Sequence, residues 1–250
     1  MKTTILLSNQ RSGTTFFDNT VGGMCGLMGQ GGEPLRLKFF EKHQASHLVK
    51  KCDEKILLND NTVRLPMEKE YCMSLSAKFF DELCDCSPRP ILNFQYDQLK
   101  NNPKYIQGTK SKIILLIRKN NWMRSVSQYI LKKKKILGLP AHFAENLEKK
   151  VAIKIDIKLV EKKAALANKR TLKFKDAFKN QTNLKIIYYE DICEPSHWTA
   201  EFIDELEEFL GVNFTNKDYR CPWKKSAEQY EYINKNEVFN EKLIEKYYIT

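Results

Sequence analysis

The segment Lys112 to Ile117 restricts the fold most, because an unbroken Ile-Ile-Leu-Leu-Ile run leads straight to Arg118. A strand with one wet face alternates apolar and polar residues, whereas a continuous apolar run needs cover on both faces, as in the centre of a parallel sheet. A helix is predicted after it, from Trp122 to about Leu137. The chain opens in the same way: a buried strand Thr3 to Leu7, a polar turn Ser8 to Gly13, and a helix from Thr14 through Phe16, Phe17 and Val21 until Gly22-Gly23 weakens it. Further strands are predicted at Lys55 to Leu58, Ile91 to Phe94 and Leu184 to Tyr189. Helices are predicted from about Pro66 to Leu83, as one or two surface helices within the lysine-rich stretch Ala141 to Phe178, and from Thr199 to Leu210 with Gly211 as its stop. The tail from Pro222 reads as a loop and then a helix through Tyr247. Strands alternating with helices imply an α/β fold with a central, mainly parallel sheet flanked by helices and joined by right-handed crossovers.

The 250 residues suffice for a single domain spanning 1–250, and the 42% apolar and 29% charged content is that of a globular chain. A formal charge of +11 favours polyanions or a heavily phosphorylated small ligand, or else describes a lysine-rich solvated surface, so position has to decide. The seven cysteines show neither a disulfide framework nor zinc-ligand spacing, and the four histidines add no metal motif. They read as reduced thiols of an intracellular protein. Only Ile5 to Leu7 precede polar Ser8, which is too short for a signal-peptide core, and no apolar run approaches the roughly 18 residues that span a bilayer. A cytoplasmic protein without a transmembrane segment or a metal is expected.

The chemistry starts at Gln10-Arg11-Ser12-Gly13-Thr14-Thr15, between a hydrophobic strand and a helix. That position offers backbone N–H groups, hydroxyls and a guanidinium to an anion at a helix N-terminus. A Walker A loop would require Gly-x-x-x-x-Gly-Lys-Ser/Thr, but Ser8 stands at its first Gly and Thr14 at its Lys, which disfavours nucleotide hydrolysis. A second junction pairs Arg118, at the end of the apolar strand, with Ser127 nine positions later on the following helix; Ser125 is the alternative by register. Ligands of open α/β sheets bind at the carboxyl ends of strands, where such an Arg and Ser can converge on one phosphate.

Together these segments resemble the sulfotransferase superfamily, whose strand-loop-helix is related to the P-loop fold. The resemblance implies a P-loop-like three-layer fold and 3′-phosphoadenosine 5′-phosphosulfate (PAPS) as donor, with adenosine 3′,5′-bisphosphate as product. It implies that Arg11, Ser12, Gly13, Thr14 and Thr15 hold the 5′-phosphosulfate, and that Arg118 and Ser127 hold the 3′-phosphate. Tyr96-Asp97-Gln98-Leu99 resembles a segment of bacterial carbohydrate sulfotransferases, although the lysine expected just before it is absent. Tyr189-Glu190-Asp191 and Phe209-Leu210-Gly211 resemble late scaffold segments of the family. Lys224-Lys225 resembles the basic pair of a loop that closes over the nucleotide.

In-line transfer requires a base for the acceptor hydroxyl and positive groups facing the leaving phosphate. Arg11 suits the second role. Gly32-Glu33-Pro34 resembles a Gly-Glu segment of trehalose and tyrosylprotein sulfotransferases and makes Glu33 a candidate base. The trehalose pattern places its base a few residues later, where this chain reads Leu35-Arg36-Leu37-Lys38, so Glu41, His43 and His47 stay open. The expected acceptor is a small-molecule or glycan hydroxyl, on a carbohydrate or glycolipid. The competing functions are a P-loop-like kinase or nucleotidase, a nucleic-acid-binding protein using Lys132 to Lys135 and the lysines of Ala141 to Lys175, and a nucleotide-binding protein without turnover.

Overall fold

Four strands form one sheet in the computed structural model, which describes residues 3–27, 76–87, 89–99, 101–136, 153–193, 198–221 and 238–250. They are β1 (Thr4–Ser8), β2 (Ile91–Gln95), β3 (Ile113–Ile117) and β4 (Leu184–Tyr188), in the order β2-β1-β3-β4, with every pairing parallel. All five residues of β1 and of β3 are buried, as two-sided cover requires. The predicted strand at Lys55 to Leu58 lies outside the described residues.

Strand alternation divides the core. Ile5, Leu7, Leu92, Phe94, Ile113 and Leu115 pack on one face, against Phe80 and Leu83 of α2 (Ala77–Cys86) and Phe174 and Phe178 of α4 (Ile157–Phe178). Leu6, Ile114 and Leu116 pack on the other, against Phe17 and Val21 of α1 (Thr14–Met24) and Ile203 and Leu206 of α5 (Ala200–Leu210). These layers are an α/β sandwich with helices on both faces. A third cluster joins α3 (Asn121–Ile136) to α4 through Trp122, Val126, Tyr129, Val160 and Ala164, with Tyr247 after the short α6 (Glu241–Lys246).

Several boundaries differ from expectation for local reasons. Helix α1 runs through Gly22-Gly23, because a Cβ at Gly23 would collide with the Tyr219 ring that packs there. Helix α2 begins at Ala77, where the Ser76 hydroxyl caps it by accepting from the Phe79 N–H at 3.4 Å, and it continues past Leu83 to Cys86; the earlier part of the helix expected from Pro66 lies outside the described residues. Helix α4 is no mere surface helix, since Val160, Ala164, Ala167, Phe174 and Phe178 form a buried face. The strand β4 stops at Tyr188, and Tyr189–Asp191 turn as a 3₁₀ helix. The expected cap of α5 is present: Thr199 closes its start and Gly211, at φ 69°, its end.

Asp18 of α1 and Arg89, just before β2, form a 3.5 Å ion pair with both side chains nine-tenths buried. Burial pushes the Asp18 carboxyl up to about 6, against the opposing pull of Arg89. The folded chain therefore keeps this proton at a pH where the unfolded chain has lost it. The group's stabilising effect is full below the unfolded value and disappears as pH rises through the folded value. Melting curves of Asp18→Asn and parent at about pH 4 and about pH 7 should show the variant gaining, relative to the parent, the equivalent of up to about 3 kcal/mol at the higher pH. A stability difference independent of pH would refute this assignment.

Candidate functional site

Parallel pairing sets Ser8 opposite Gln95 on one side and Leu116 on the other, so the segments leaving β1, β2 and β3 emerge along one edge of the sheet. At this edge the chain after β1 turns into α1 with two left-handed residues, Arg11 at φ 64° and Gly13 at φ 82°. Gly13 is the N-cap of α1, and among the described residues no side chain caps the helix there. The first-turn N–H groups thus form a partly positive end suited to an anion. A left-handed Arg costs on the order of 1 kcal/mol, a strain that clusters at ligand-binding loops. Ser12 and Thr14 are buried beside the turn, and Thr15 is exposed.

The second predicted junction meets this loop. The Arg118 guanidinium donates from Nη1 to the Arg11 carbonyl at 3.2 Å and lies 5.0 Å from the centre of the Tyr189 ring. Its Nε is buried and has no hydrogen-bond partner among the described residues. An orphaned buried donor beside an uncapped helix start is what an oxyanion would complete. Ser127 is buried on α3, and its Oγ accepts from both Nε and Nη2 of Arg11 at 3.3 Å. The structure therefore gathers Arg11, Ser12, Gly13, Thr14, Arg118 and Ser127 at one edge, but Ser127 bonds the Arg11 side chain and Arg118 bonds the Arg11 backbone. Ser125 instead accepts from Arg124 Nη2 at 3.2 Å. Glu33, Glu41, His43, His47, Lys224 and Lys225 lie outside the described residues.

Two residues of this edge were not assigned a role from sequence. Tyr189, expected to be scaffold, packs its ring between Arg118 and the loop, so that a Cβ at position 13 would collide with its Cδ2 and Cε2. The scaffold role falls to its neighbour, Glu190, whose carboxylate accepts from the N–H groups of Lys119 and Asn120 at 2.8 and 3.0 Å. Arg124 is buried on α3, donating to the Gln10 carbonyl at 2.8 Å and to Asn121 Oδ1 at 2.9 Å. Burial foremost, then Arg118 and Arg170, lowers its guanidinium to about 10. The one sequence signal for it was an Arg between the apolar pair Trp122-Met123 and Val126, where a charge has no reason to be buried unless it is used.

Cys84 and Cys25 are poorly suited to act as nucleophiles, because burial pushes Cys84 up to about 12 and burial with Glu207 pushes Cys25 up to about 11. Among the described residues no cluster of His, Cys, Asp and Glu could hold a metal, and no helix is long and apolar enough to cross a membrane.

No protein-family model matches the chain, and no curated protein does. Among solved structures it is similar to a sulfotransferase from Alicyclobacillus acidocaldarius, at 13% identity and a TM-score of 0.40, over 92% of this chain and 89% of that one.

The close packing of Gly13 and Tyr189 is testable by a double-mutant cycle. Gly13→Ala should cost about 2 kcal/mol or more in urea unfolding, from the left-handed φ and the collision together, whereas in a Tyr189→Ala background the φ penalty of about 1 kcal/mol should remain. Equal costs in both backgrounds would show that the ring does not press on the loop.

Proposed function

We propose that this protein is a sulfotransferase that moves a sulfuryl group from PAPS to an acceptor hydroxyl, with carbohydrate and glycolipid hydroxyls as the favoured class. The supporting observation is the contact between Arg118 and the Arg11 carbonyl, which joins two anion-binding motifs 107 residues apart in the chain. A doubly phosphorylated adenosine requires two such pockets within one nucleotide's length. The residues fit: the αL Gly13, the uncapped start of α1 and the unpartnered Arg118 Nε all favour bound oxyanions.

PAPS would supply an activated sulfuryl group attached to a phosphate leaving group. Arg11 and the residues Ser12 to Thr15 would hold the phosphosulfate, and Arg118 with Ser127 the 3′-phosphate. Because Arg11 and Ser127 are hydrogen-bonded, the two pockets share one network, and preorganised donors of this kind stabilise developing negative charge without reorganising. Glu33 is the candidate base from sequence. A second carboxylate, Asp97, follows β2 on the same sheet edge and accepts from Gln10 Nε2 of the loop at 2.7 Å. Glu33→Gln and Asp97→Asn separate the two: the variant that removes the base should lose about 100-fold or more in turnover with bisphosphate affinity kept.

The competing functions have less support. No lysine stands where a Walker loop places one, and in the Lys132 to Lys135 stripe Lys134 is buried, its ammonium lowered by burial and by Arg11, and thus withdrawn from a nucleic-acid surface. Calorimetry decides. Adenosine 3′,5′-bisphosphate should bind without a metal and more tightly than ATP with Mg²⁺, and Arg11→Ala and Arg118→Ala should each weaken it at least about tenfold. Tighter binding of Mg-ATP, or full bisphosphate affinity in both variants, would refute the proposal.

A further inference from the structure

A second polar feature opens beside the loop, on the side away from Tyr189. It is a cleft of about 90 Å³ between the chain after β1, the chain after β2, and helices α3 and α4. Lys163, Leu166 and Arg170 line it from one face of α4, at the i, i+3, i+7 spacing that aligns side chains on a helix. Arg124 and Gln128 line it from α3, and Gln10 from the loop.

Its charge is unbalanced. Arg124 spends its hydrogen bonds on neutral oxygens of Gln10, Asn121 and Ser125. No described carboxylate forms an ion pair with Arg124, Lys163 or Arg170. Asp97, the one carboxylate among the described lining residues, is engaged by the side chain of Gln10 and the backbone N–H of Gln98. Burial and neighbouring cations depress both Arg124 and Lys163, as expected where like charges share a confined space and outnumber the carboxylate there. A buried charge without a counter-charge costs several kcal/mol, so such an arrangement is retained where a ligand supplies the missing charge.

At about 90 Å³ the cleft has room for one carboxylate, sulfate or phosphate group. Its lining also differs from that of the proposed nucleotide pocket: Asp97 enters it from the chain after β2, and neither Arg118 nor Tyr189 lines it. Both border the same loop, so a group seated in the cleft lies next to the anion held at the start of α1.

We propose that this cleft is the acceptor subsite and that the acceptor carries an oxyanion, recognised by Arg124, Lys163 and Arg170. The assignment rests on the sulfuryl-transfer function proposed above. Selectivity then comes from charge: a neutral sugar leaves three cations with the single Asp97 carboxylate, and an acidic one supplies a further negative charge.

The test uses the full chain saturated with adenosine 3′,5′-bisphosphate and the double variant Lys163→Gln/Arg170→Gln, whose half-buried positions spare the fold. Inorganic sulfate, inorganic phosphate and acetate are titrated first, followed by glucose 6-sulfate, glucose 6-phosphate and glucuronate, each against glucose. At least one oxyanion sugar should bind tenfold or more tighter than glucose to the parent chain, and the member of the set that does so identifies the group. That preference should vanish in the double variant, with bisphosphate affinity held within about twofold. No preference for charge, or a preference that survives in the variant, overturns the proposal. A matching loss of bisphosphate affinity would make the cleft part of the nucleotide pocket and overturn it too. Failure of the bisphosphate to bind the parent chain refutes sulfuryl transfer itself, a result separable from these because the anion titrations are also run without nucleotide.

Discussion

Parallel pairing of β1 with β3 is the constraint from which the rest follows. With Ser8 opposite Leu116, the chain leaves both strands at the same edge, and Arg118 is forced against the loop that precedes α1. Antiparallel pairing would have sent the two junctions to opposite ends of the sheet. The pairing is stable because β1 and β3 are apolar on both faces and sit between helical layers, an environment that water cannot enter to compete for the ladder hydrogen bonds.

Around that edge the fold concentrates features that a purely structural core would avoid. A non-glycine residue stands in the left-handed region, and among the described residues one buried guanidinium has no counter-charge and another has an unpartnered nitrogen. Each is unfavourable alone, and all three border the same five-residue loop. The surrounding packing over-determines them. Tyr189 presses on Gly13, and Glu190 ties the end of β4 to the N–H groups after Arg118, so the loop and the arginine cannot relax independently. Positive charge held in place before a ligand arrives costs no reorganisation when it binds.

The two sides of the loop differ in chemistry as well as in position. Toward β4 lie an aromatic ring and the Arg118 guanidinium, a combination suited to a nucleotide. Toward β2 lie cations, amides and one carboxylate, suited to a small polar group. A transferase needs two neighbouring ligands, and a loop that borders two chemically different pockets brings them within reach of one another.

Much of this was legible in the chain itself. The unbroken apolar runs determined β1 and β3, glycine and threonine determined the ends of α5, and the strand-turn-helix around Gln10 to Thr15 was recognisable because a turn depends on local backbone conformation. What sequence could not supply was whatever depends on partners distant in the chain. The passage of α1 through two glycines depended on Tyr219, and the role of Tyr189 on a glycine 176 residues earlier. The hydrogen bond between Arg11 and Ser127, and the meeting of Arg124, Lys163 and Arg170 in one cleft, were likewise decided in three dimensions. Periodicity and turn chemistry act over a few residues, and so the sequence by itself determined the described strands, most of the described helices and the turn before α1. Burial and charge proximity are properties of the packed chain, and only the tertiary structure decided which cations share a pocket.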